Sequence, residues 1–216
     1  MSRELLLILI LTIGLFCQTF SVAAQNGVRA DDEYWIDASN GRRIDVFTQK
    51  GGVAPFAACP PFLLGEDVIL YANVTYNGWP VQSKDITFQL VEPCGESFFV
   101  SGRTNASGIA VASFALPRPC QPQGLIGIWT VTGSVEIREV VVCDVLEFRV
   151  SWNLADVNRD LKVDIYDVIA VCAACGSTQS SRGWNPYCDT AQPYGTINIV
   201  DVVAVTANYG SAYSAL

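Results

Sequence analysis

The chain has 216 residues, half of them hydrophobic, a formal net charge of -8 and no histidine. This composition argues against disorder and, because no Lys or Arg cluster is present, against a nucleic-acid surface. The lack of histidine excludes Ser-His-Asp triads and other histidine-based catalysis, while a glycosidase with two carboxylates stays compatible with the residue types. We expect one or two domains and no catalytic function.

The first segment has the pattern of an export signal. Arg3 precedes an apolar run at 5–20, and small residues follow at 22–24. The pattern predicts residues 1–24 as a signal peptide cleaved near Ala24, and hence a secreted or cell-surface protein. The alternative is a retained anchor, since a run of ~16 apolar residues approaches the ~20 that span a bilayer. No later segment is apolar enough to form a stable membrane span.

The next region, 25–151, is predicted to be a β-sandwich with an N-terminal extension. Alternating apolar and polar residues between turn residues predict seven strands, and helical periodicity is nearly absent. The two residues Asn77 and Gly78 form the strongest short hairpin signal in the chain. The predicted strands cover 43–48, 68–76, 85–91, 98–104, 109–115, 126–135 and 140–150.

This region resembles the immunoglobulin-like or macroglobulin-like repeats of prokaryotic surface proteins. The resemblance is carried by the run at 76–81 (YNGWPV) and by the run at 104–110 (TNASGIA), which closes on Phe114. It implies an all-β immunoglobulin-like sandwich, and no chemistry follows from the fold alone.

Export would place the cysteines in an oxidising compartment, where disulfides form. Of three possible pairings in the sandwich, we favour Cys94 with Cys120 and Cys59 with Cys143. A bridge from Cys188 to Cys172 or Cys175 is the preferred interpretation of the last three cysteines. Asn73 and Asn105 each begin a glycosylation tripeptide.

The region after Trp152 contains an internal duplication of an acidic loop followed by a helix. The run at 164–171 (DIYDVIAV) recurs at 198–205 (NIVDVVAV), and a Gly-Ser pair follows each copy at the same offset. The first loop, 156–167, carries oxygen side chains at positions 1, 3, 5, 9 and 12, which is the alternation that Ca²⁺ requires. The predicted ligands are the side chains of Asp156, Asn158, Asp160, Asp164 and Asp167, and the backbone carbonyl of Lys162.

The helix after this loop is expected to bury Ile165, Val168, Ile169 and Cys172, which recur at helical spacing. Calcium binding and folding of the loop should be coupled. The second loop lacks the Asn and Asp ligands of the first and holds one extra residue. Asp189, Asn198 and Asp201 therefore form at most a weak second metal site.

The tail resembles a dockerin, the duplicated calcium-binding module that docks onto cohesin domains. The resemblance is carried by the loop D-x-N-x-D-x-x-V-D-x-x-D, the two I-x-D-V-(I/V)-A-V helix starts and the Gly-Ser ends. It implies a small all-α, EF-hand-like module over 152–216 that follows the sandwich, and a docking role in an extracellular assembly. By the same resemblance, partner-binding residues are Ile165, Tyr166, Ile199 and Val200. The alternative is that Ile165 and Ile199 are core residues. Leu161 stands where the family has glycine, so its backbone must be left-handed at a cost of roughly 1–2 kcal/mol.

The predicted partner is a cohesin-like protein or the adjacent sandwich. The alternative function is carbohydrate binding, as an accessory component in polysaccharide breakdown. That alternative requires the aromatic side chains of Tyr34, Trp35, Tyr76 and Trp79 to form one exposed, coplanar strip.

Overall fold

The computed structural model describes residues 36–37, 41–52 and 59–214. The predicted signal peptide, the residues Tyr34 and Trp35 and the last two residues lie outside this part of the chain. Among the described residues, no helix is long and apolar enough to cross a membrane.

The described residues form ten β-strands and two α-helices. The strands are β1 (Ile36–Asp37), β2 (Arg42–Thr48), β3 (Phe62–Leu63), β4 (Asp67–Tyr76), β5 (Trp79–Pro80), β6 (Asp85–Val91), β7 (Ser97–Arg103), β8 (Ile109–Ala115), β9 (Gly127–Ile137) and β10 (Val140–Ser151). The helices are α1 (Ile165–Ala174) and α2 (Ile199–Ala207).

Two five-stranded sheets pack face to face as a β-sandwich. In the first sheet, β4 pairs with β2 along one edge and with β8 and β5 along the other, and β1 extends the sheet beyond β2. The second sheet has the order β3-β10-β9-β6-β7, in which only β3 runs parallel to its neighbour. Alternate side chains of β2, β4, β6 and β9 are buried, because successive residues of a strand point to opposite faces. The core formed between the sheets includes Trp129, Phe62, Phe88 and Phe148.

The seven predicted strands are confirmed, with ends that differ by no more than two residues. The Asn77-Gly78 turn is also present, with positive φ angles of 51° and 79°. It joins β4 to the two-residue β5, however, and not to β6. Pro80 in β5 has no N–H to donate to a longer ladder, and the chain then crosses to the second sheet, where β6 pairs with β7 and β9.

The prediction of an all-α module after the sandwich is wrong. Residues 152–214 contain only the two helices, of ten and nine residues, among loops, turns and isolated bridges. Both helices are short. The C-cap of α1 is Cys175, which is followed by Gly176 with a φ of +89°. The C-cap of α2 is Asn208, which lies two residues before Gly210 with a φ of +87°. The described part of the chain is therefore mainly β, with two short helices after the sandwich.

The predicted buried face of the first helix is also wrong. The buried residues of α1 are Asp167, Val171 and Ala174, whereas Ile165 and Ile169 are half exposed and Cys172 is exposed. The reason is that Asp167 must face the interior to reach the backbone of the preceding loop, and this fixes the rotation of the whole helix. Val171 and Ala174 join a second small core with Val157, Val163, Cys188, Ile197 and Val205.

The tail packs directly on the sandwich. Trp152 contacts both hydrophobic cores, and Leu161 and Tyr213 pack against the core of the sandwich. The hydroxyl group of Tyr213 donates a hydrogen bond of 2.6 Å to the Pro119 carbonyl. The first loop is thus attached to the sandwich at several points.

A half-buried carboxylate, that of Asp144, joins the two sheets of the sandwich. The backbone N–H of Val46 on β2 donates to Asp144 Oδ2 on β10 at 2.7 Å. Burial raises the pKa of Asp144 to about 6 against the opposing effect of this hydrogen bond. A carboxyl group with a raised pKa in the folded state destabilises the fold above that pKa, and this cost is relieved as the pH falls from about 6 towards 4.

Asp144→Asn should therefore stabilise the protein at pH 7, by roughly 1–3 kcal/mol, because an amide oxygen still accepts the Val46 hydrogen bond without charge burial. The advantage of the variant should vanish near pH 4. Urea unfolding at pH 4, 5, 6 and 7 measures both effects. A stability difference that does not change with pH would contradict this account of Asp144.

Candidate functional site

Asp156 occupies the first position of the first loop and organises its first half. Its side chain is buried, and its two carboxylate oxygens accept hydrogen bonds from the backbone N–H groups of Asp160 and Leu161, each at 3.1 Å. The indole N–H of Trp152 also donates to its Oδ2. The sequence analysis does not include Trp152 in this site. Its position four residues before Asp156 is the one sequence feature that places it near the loop.

Asp167 occupies the last position of the loop and closes it. It is fully buried. Its Oδ1 accepts from the N–H groups of Val157 and Asn158 at 2.8 and 3.1 Å, and its Oδ2 accepts from Asp164 N–H at 2.8 Å. The Asp164 side chain accepts in turn from Tyr166 N–H, so these two acids also form the capping box that starts α1.

The remaining predicted ligands lie on the exposed side of the same loop. Asn158 and Asp160 each accept a hydrogen bond from the backbone two residues further on, and the Asn158 amide donates to Asp160 Oδ2 at 3.1 Å. Lys162 is exposed, and its backbone pairs with Ala212. The structure therefore places all six predicted ligands on one closed loop.

The expected left-handed residue is observed at Leu161, with φ at +71°. Its side chain packs against the sandwich core, and its carbonyl accepts from Tyr213 N–H at 3.0 Å. A glycine at this position would relieve the backbone but lose that packing. Leu161 thus links the loop to the sandwich.

The second loop is closed in the same way. Asp201, fully buried, accepts from Thr190 and Ala191 N–H through Oδ1, at 2.8 and 2.9 Å, and from Asn198 N–H through Oδ2 at 2.8 Å. Asp189 accepts from Gly195 N–H at 2.8 Å through Oδ2, as Asp156 does from Leu161. The two loops therefore share one hydrogen-bond pattern.

Each loop also pairs with the segment that follows the helix of the other copy. Val163 in the first loop exchanges backbone hydrogen bonds with Gly210 and Ser211. Ile197 in the second loop does the same with Gly176 and Ser177. The Gly-Ser pairs noted in the sequence are thus the pairing partners of the opposite loops, and the duplication is structural.

The first loop carries negative charge that its own basic residues do not neutralise. Burial raises the pKa of Asp156, and the nearby Asp167 adds to this, while hydrogen bonds from Trp152 and Leu161 oppose it. Lys162 is exposed, and the Arg159 guanidinium lies over the Tyr187 ring at 4.4 Å. In the part of the chain that the structure describes, no three Asp, Glu, His or Cys side chains form a group that could hold a metal ion by themselves. An ion here would have to draw also on Asn158 and on backbone oxygen, which is the mixed donor set that Ca²⁺ accepts.

The four predicted partner-binding residues are exposed on the two helices. Ile165 is 50% exposed, Tyr166 67%, Ile199 66% and Val200 46%. Ile169, Val203 and Tyr209 are exposed to a similar extent. The sequence analysis does not predict these three as partner-binding residues, although Ile169 and Val203 lie one helical turn after Ile165 and Ile199. We call these seven residues the apolar helix face. Each of them is at least 46% exposed.

The predicted disulfides are not formed in the structure. Cys59, Cys94, Cys120, Cys172, Cys175 and Cys188 are thiols, whereas Cys143 is disulfide-bonded, though not to Cys59. Cys188 is buried, with its Sγ directed to the Ala170 carbonyl at 3.6 Å, whereas Cys172 and Cys175 are exposed, so the proposed bridge from Cys188 does not match the side-chain positions. The Cys59 thiol contacts Thr48 Oγ1 at 3.3 Å, and that of Cys94 donates to Glu92 Oε1 at 2.6 Å.

The other candidate residues are dispersed over the sandwich. Asn73 lies within β4, with its side chain half-buried, and Asn105 lies exposed in the turn before β8. Trp79 is 77% exposed, while the Tyr76 ring is contacted by the guanidinium groups of Arg42 and Arg138, at 5.8 and 4.5 Å. Tyr34 and Trp35 lie outside the described residues, and the carbohydrate alternative stays a prediction.

Comparison with known proteins gives only distant structural likenesses. No family model matches the chain, and no curated protein matches it significantly. Solved structures similar to it include the tetra-tandem repeat in the extending region of a large adhesion protein (TM-score 0.38, 12% identity, covering 53% of this chain and 25% of that one). Another is a DUF4785 family protein from Legionella pneumophila (TM-score 0.38, 14% identity, covering 50% of this chain and 28% of that one). A third is the CARDB domain of a Pyrococcus furiosus protein in complex with di-metal ions (TM-score 0.29, 12% identity, covering 56% of this chain and 95% of that one).

The chain thus spans about a quarter of the length of the first two structures. TM-scores this low say nothing about activity or ligands. The β-sandwich is established by the two sheets themselves.

The closing aspartates should dominate the stability of the two loops. Asp167→Asn replaces one acceptor oxygen by an NH₂ group that cannot accept a backbone N–H, and we expect a loss of roughly 2–4 kcal/mol. Asp201→Asn should cost a similar amount because its role is the same. Chemical unfolding in the presence of a chelator measures this, with the exposed Asp160→Asn as control. Equal stability of all three variants would contradict the role given to the buried carboxylates.

Proposed function

We propose that the chain is an exported, non-catalytic surface or scaffold protein that binds calcium in its first loop and docks to a protein partner through the apolar helix face. The observation that carries the proposal is the pair of buried carboxylates, Asp156 and Asp167, in a closed loop whose basic residues do not neutralise them. A hard cation with oxygen ligands suits such a loop.

The predicted calcium ligands fall into two groups, those already fixed by backbone hydrogen bonds and those on the exposed side of the loop. Asp156 and Asp167 are already fixed by backbone hydrogen bonds, so they supply preorganised charge. Asn158 and Asp160 lie on the exposed side and complete the donor set together with the Lys162 carbonyl and Asp164. A bound Ca²⁺ supplies the positive charge that links both halves, and the loop then holds the N-terminus of α1 more firmly.

The partner is proposed to be a cohesin-like domain, as the resemblance to dockerins suggests. The support is the apolar helix face: seven exposed hydrophobic side chains on two short helices and the turn that follows the second. The two helices contact each other, and exposed apolar side chains concentrated in one region are typical of protein-binding surfaces. The duplication gives the surface two similar halves, one from each loop-helix unit.

A role outside the cell and without catalysis agrees with the chemistry of the chain. The chain has no histidine. The acids of the tail that are buried are engaged with backbone N–H groups, as shown above for Asp156, Asp167 and Asp201. The export pattern of residues 1–24 indicates an extracellular setting for the calcium-binding loop.

Calcium added to the full chain should bind at one strong site and raise the melting temperature. At a free calcium concentration of 100 times Kd, the gain should be about 2.7 kcal/mol, or roughly 5 to 10 °C. Titration calorimetry and thermal unfolding measure the two quantities. Asp156→Ala should abolish binding, whereas Asp85→Ala, at an exposed acid on β6, should leave it intact. Binding that survives Asp156→Ala would overturn the assignment of the site.

Charge placed on the apolar helix face should abolish docking without affecting calcium binding. The double variant Ile165→Asp/Ile199→Asp should weaken binding to a cohesin at least 10-fold, since each change buries a charge in the interface. A panel of immobilised cohesin domains, tested with calcium and with chelator, provides the measurement. Val141→Asp, at a 43% exposed valine of β10, is the matched control. Absence of binding to any cohesin, or equal binding by both variants, would contradict the proposal.

A further inference from the structure

A buried arginine from the sandwich lies against the second loop. Arg149 is on β10, on the sheet face opposite to Phe148 and Val150, and it is only 7% exposed because the second loop covers it. Its Nη1 donates to the Pro186 carbonyl, and its Nη2 donates to the Asp189 carbonyl at 3.2 Å. The guanidinium also lies 5.9 Å from the centre of the Tyr187 ring.

The acid that begins the second loop has an oxygen without a partner. Asp189 is 7% exposed; its Oδ2 accepts from Gly195 N–H, but its buried Oδ1 has no hydrogen-bond partner. A buried carboxylate oxygen without a donor is costly unless positive charge is near. Arg149 brings positive charge to this segment: its guanidinium is hydrogen-bonded to the Asp189 carbonyl, without a direct ion pair to the carboxylate, and it opposes the rise that burial causes in the pKa of Asp189. Asp189 in turn opposes the lowering that burial causes in the pKa of Arg149.

The two loops also differ in the number of their acidic side chains. The first loop contains four aspartates, at 156, 160, 164 and 167. The second contains two, at 189 and 201, and has Ala191 and Pro193 where the first has Asn158 and Asp160. The second loop thus has half as many acidic side chains and no Lys or Arg of its own, whereas the first contains Arg159 and Lys162. Its nearby buried cation comes from another part of the fold.

We propose that Arg149 is the resident cation of the second loop: it balances Asp189, fixes the loop to the outer face of the sandwich and leaves only the first loop to take a divalent ion. The restriction to one ion rests on the proposed calcium function of the first loop. The pairing of Arg149 with Asp189 does not, and it can be measured without any metal.

The metal-free test is a double-mutant cycle on the full chain in chelator. Arg149→Met should lower the melting temperature by roughly 6 to 20 °C, because it removes two hydrogen bonds to the second loop and its preceding segment and the buried positive charge near Asp189. Asp189→Asn should raise the melting temperature more, by over about 3 °C, in the Arg149→Met chain than in the wild-type chain, because there the carboxylate has lost its compensating charge. Arg149→Lys keeps the charge and serves as the folded variant should Arg149→Met not fold. Arg103→Met, at an exposed arginine of β7, is the control. Additive effects, or an effect of Arg149→Met no larger than the control's, would overturn the pairing.

The second readout is calcium stoichiometry by native mass spectrometry. The proposal expects one ion per chain, lost in Asp156→Ala and retained in Asp189→Asn. Two ions per chain, the second lost in Asp189→Asn, would show that the second loop is a metal site and overturn the proposal. No ion at all would refute the proposed calcium function and the one-ion restriction, while the double-mutant cycle would still decide the Arg149–Asp189 pairing.

Discussion

The tail of this protein depends on a buried carboxylate that collects backbone N–H groups. Asp167 and Asp201 each accept three such groups, two from the start of their loop and one from the residue that caps the next helix. Because an unpaired buried N–H is costly, this one side chain fixes the loop ends, the helix start and the rotation of the helix together. The outward position of the apolar helix face follows from that rotation, since the acid takes the inner position.

The sandwich takes part in both loops. Leu161 of the first loop packs on the sandwich core, and Trp152, which connects the two regions, contacts both cores and donates to Asp156. Arg149 of the last strand lies under the second loop. The loop-helix units are therefore attached to a rigid support, and an ion bound in the first loop would stabilise residues that also hold the tail to the sandwich.

The strands and the closure of the first loop could be predicted because their signals are local. Alternation of apolar residues gives the seven strands, and the spacing of acids from Asp156 to Asp167 gives a loop whose ends do meet. The helix face could not be obtained in this way: the periodicity of Ile165, Val168 and Ile169 suggests burial, but the inner position belongs to Asp167. The role of Arg149 depends on a segment some forty residues away that covers it, and no local pattern indicates such a contact. The prediction of an all-α module is wrong because only the hydrophobic runs after each loop form helices. The segments between them form turns and isolated bridges.

The most direct test of the account is terbium luminescence, because Tb³⁺ replaces Ca²⁺ at oxygen sites and Trp152 lies in hydrogen-bond contact with Asp156. The account predicts that excitation of tryptophan gives terbium emission from the full chain, that calcium displaces this emission, and that Trp152→Phe removes most of the emission while calcium binding persists. Emission that is absent in the wild-type chain, or that is unchanged in Asp156→Ala, would contradict a calcium site in the first loop.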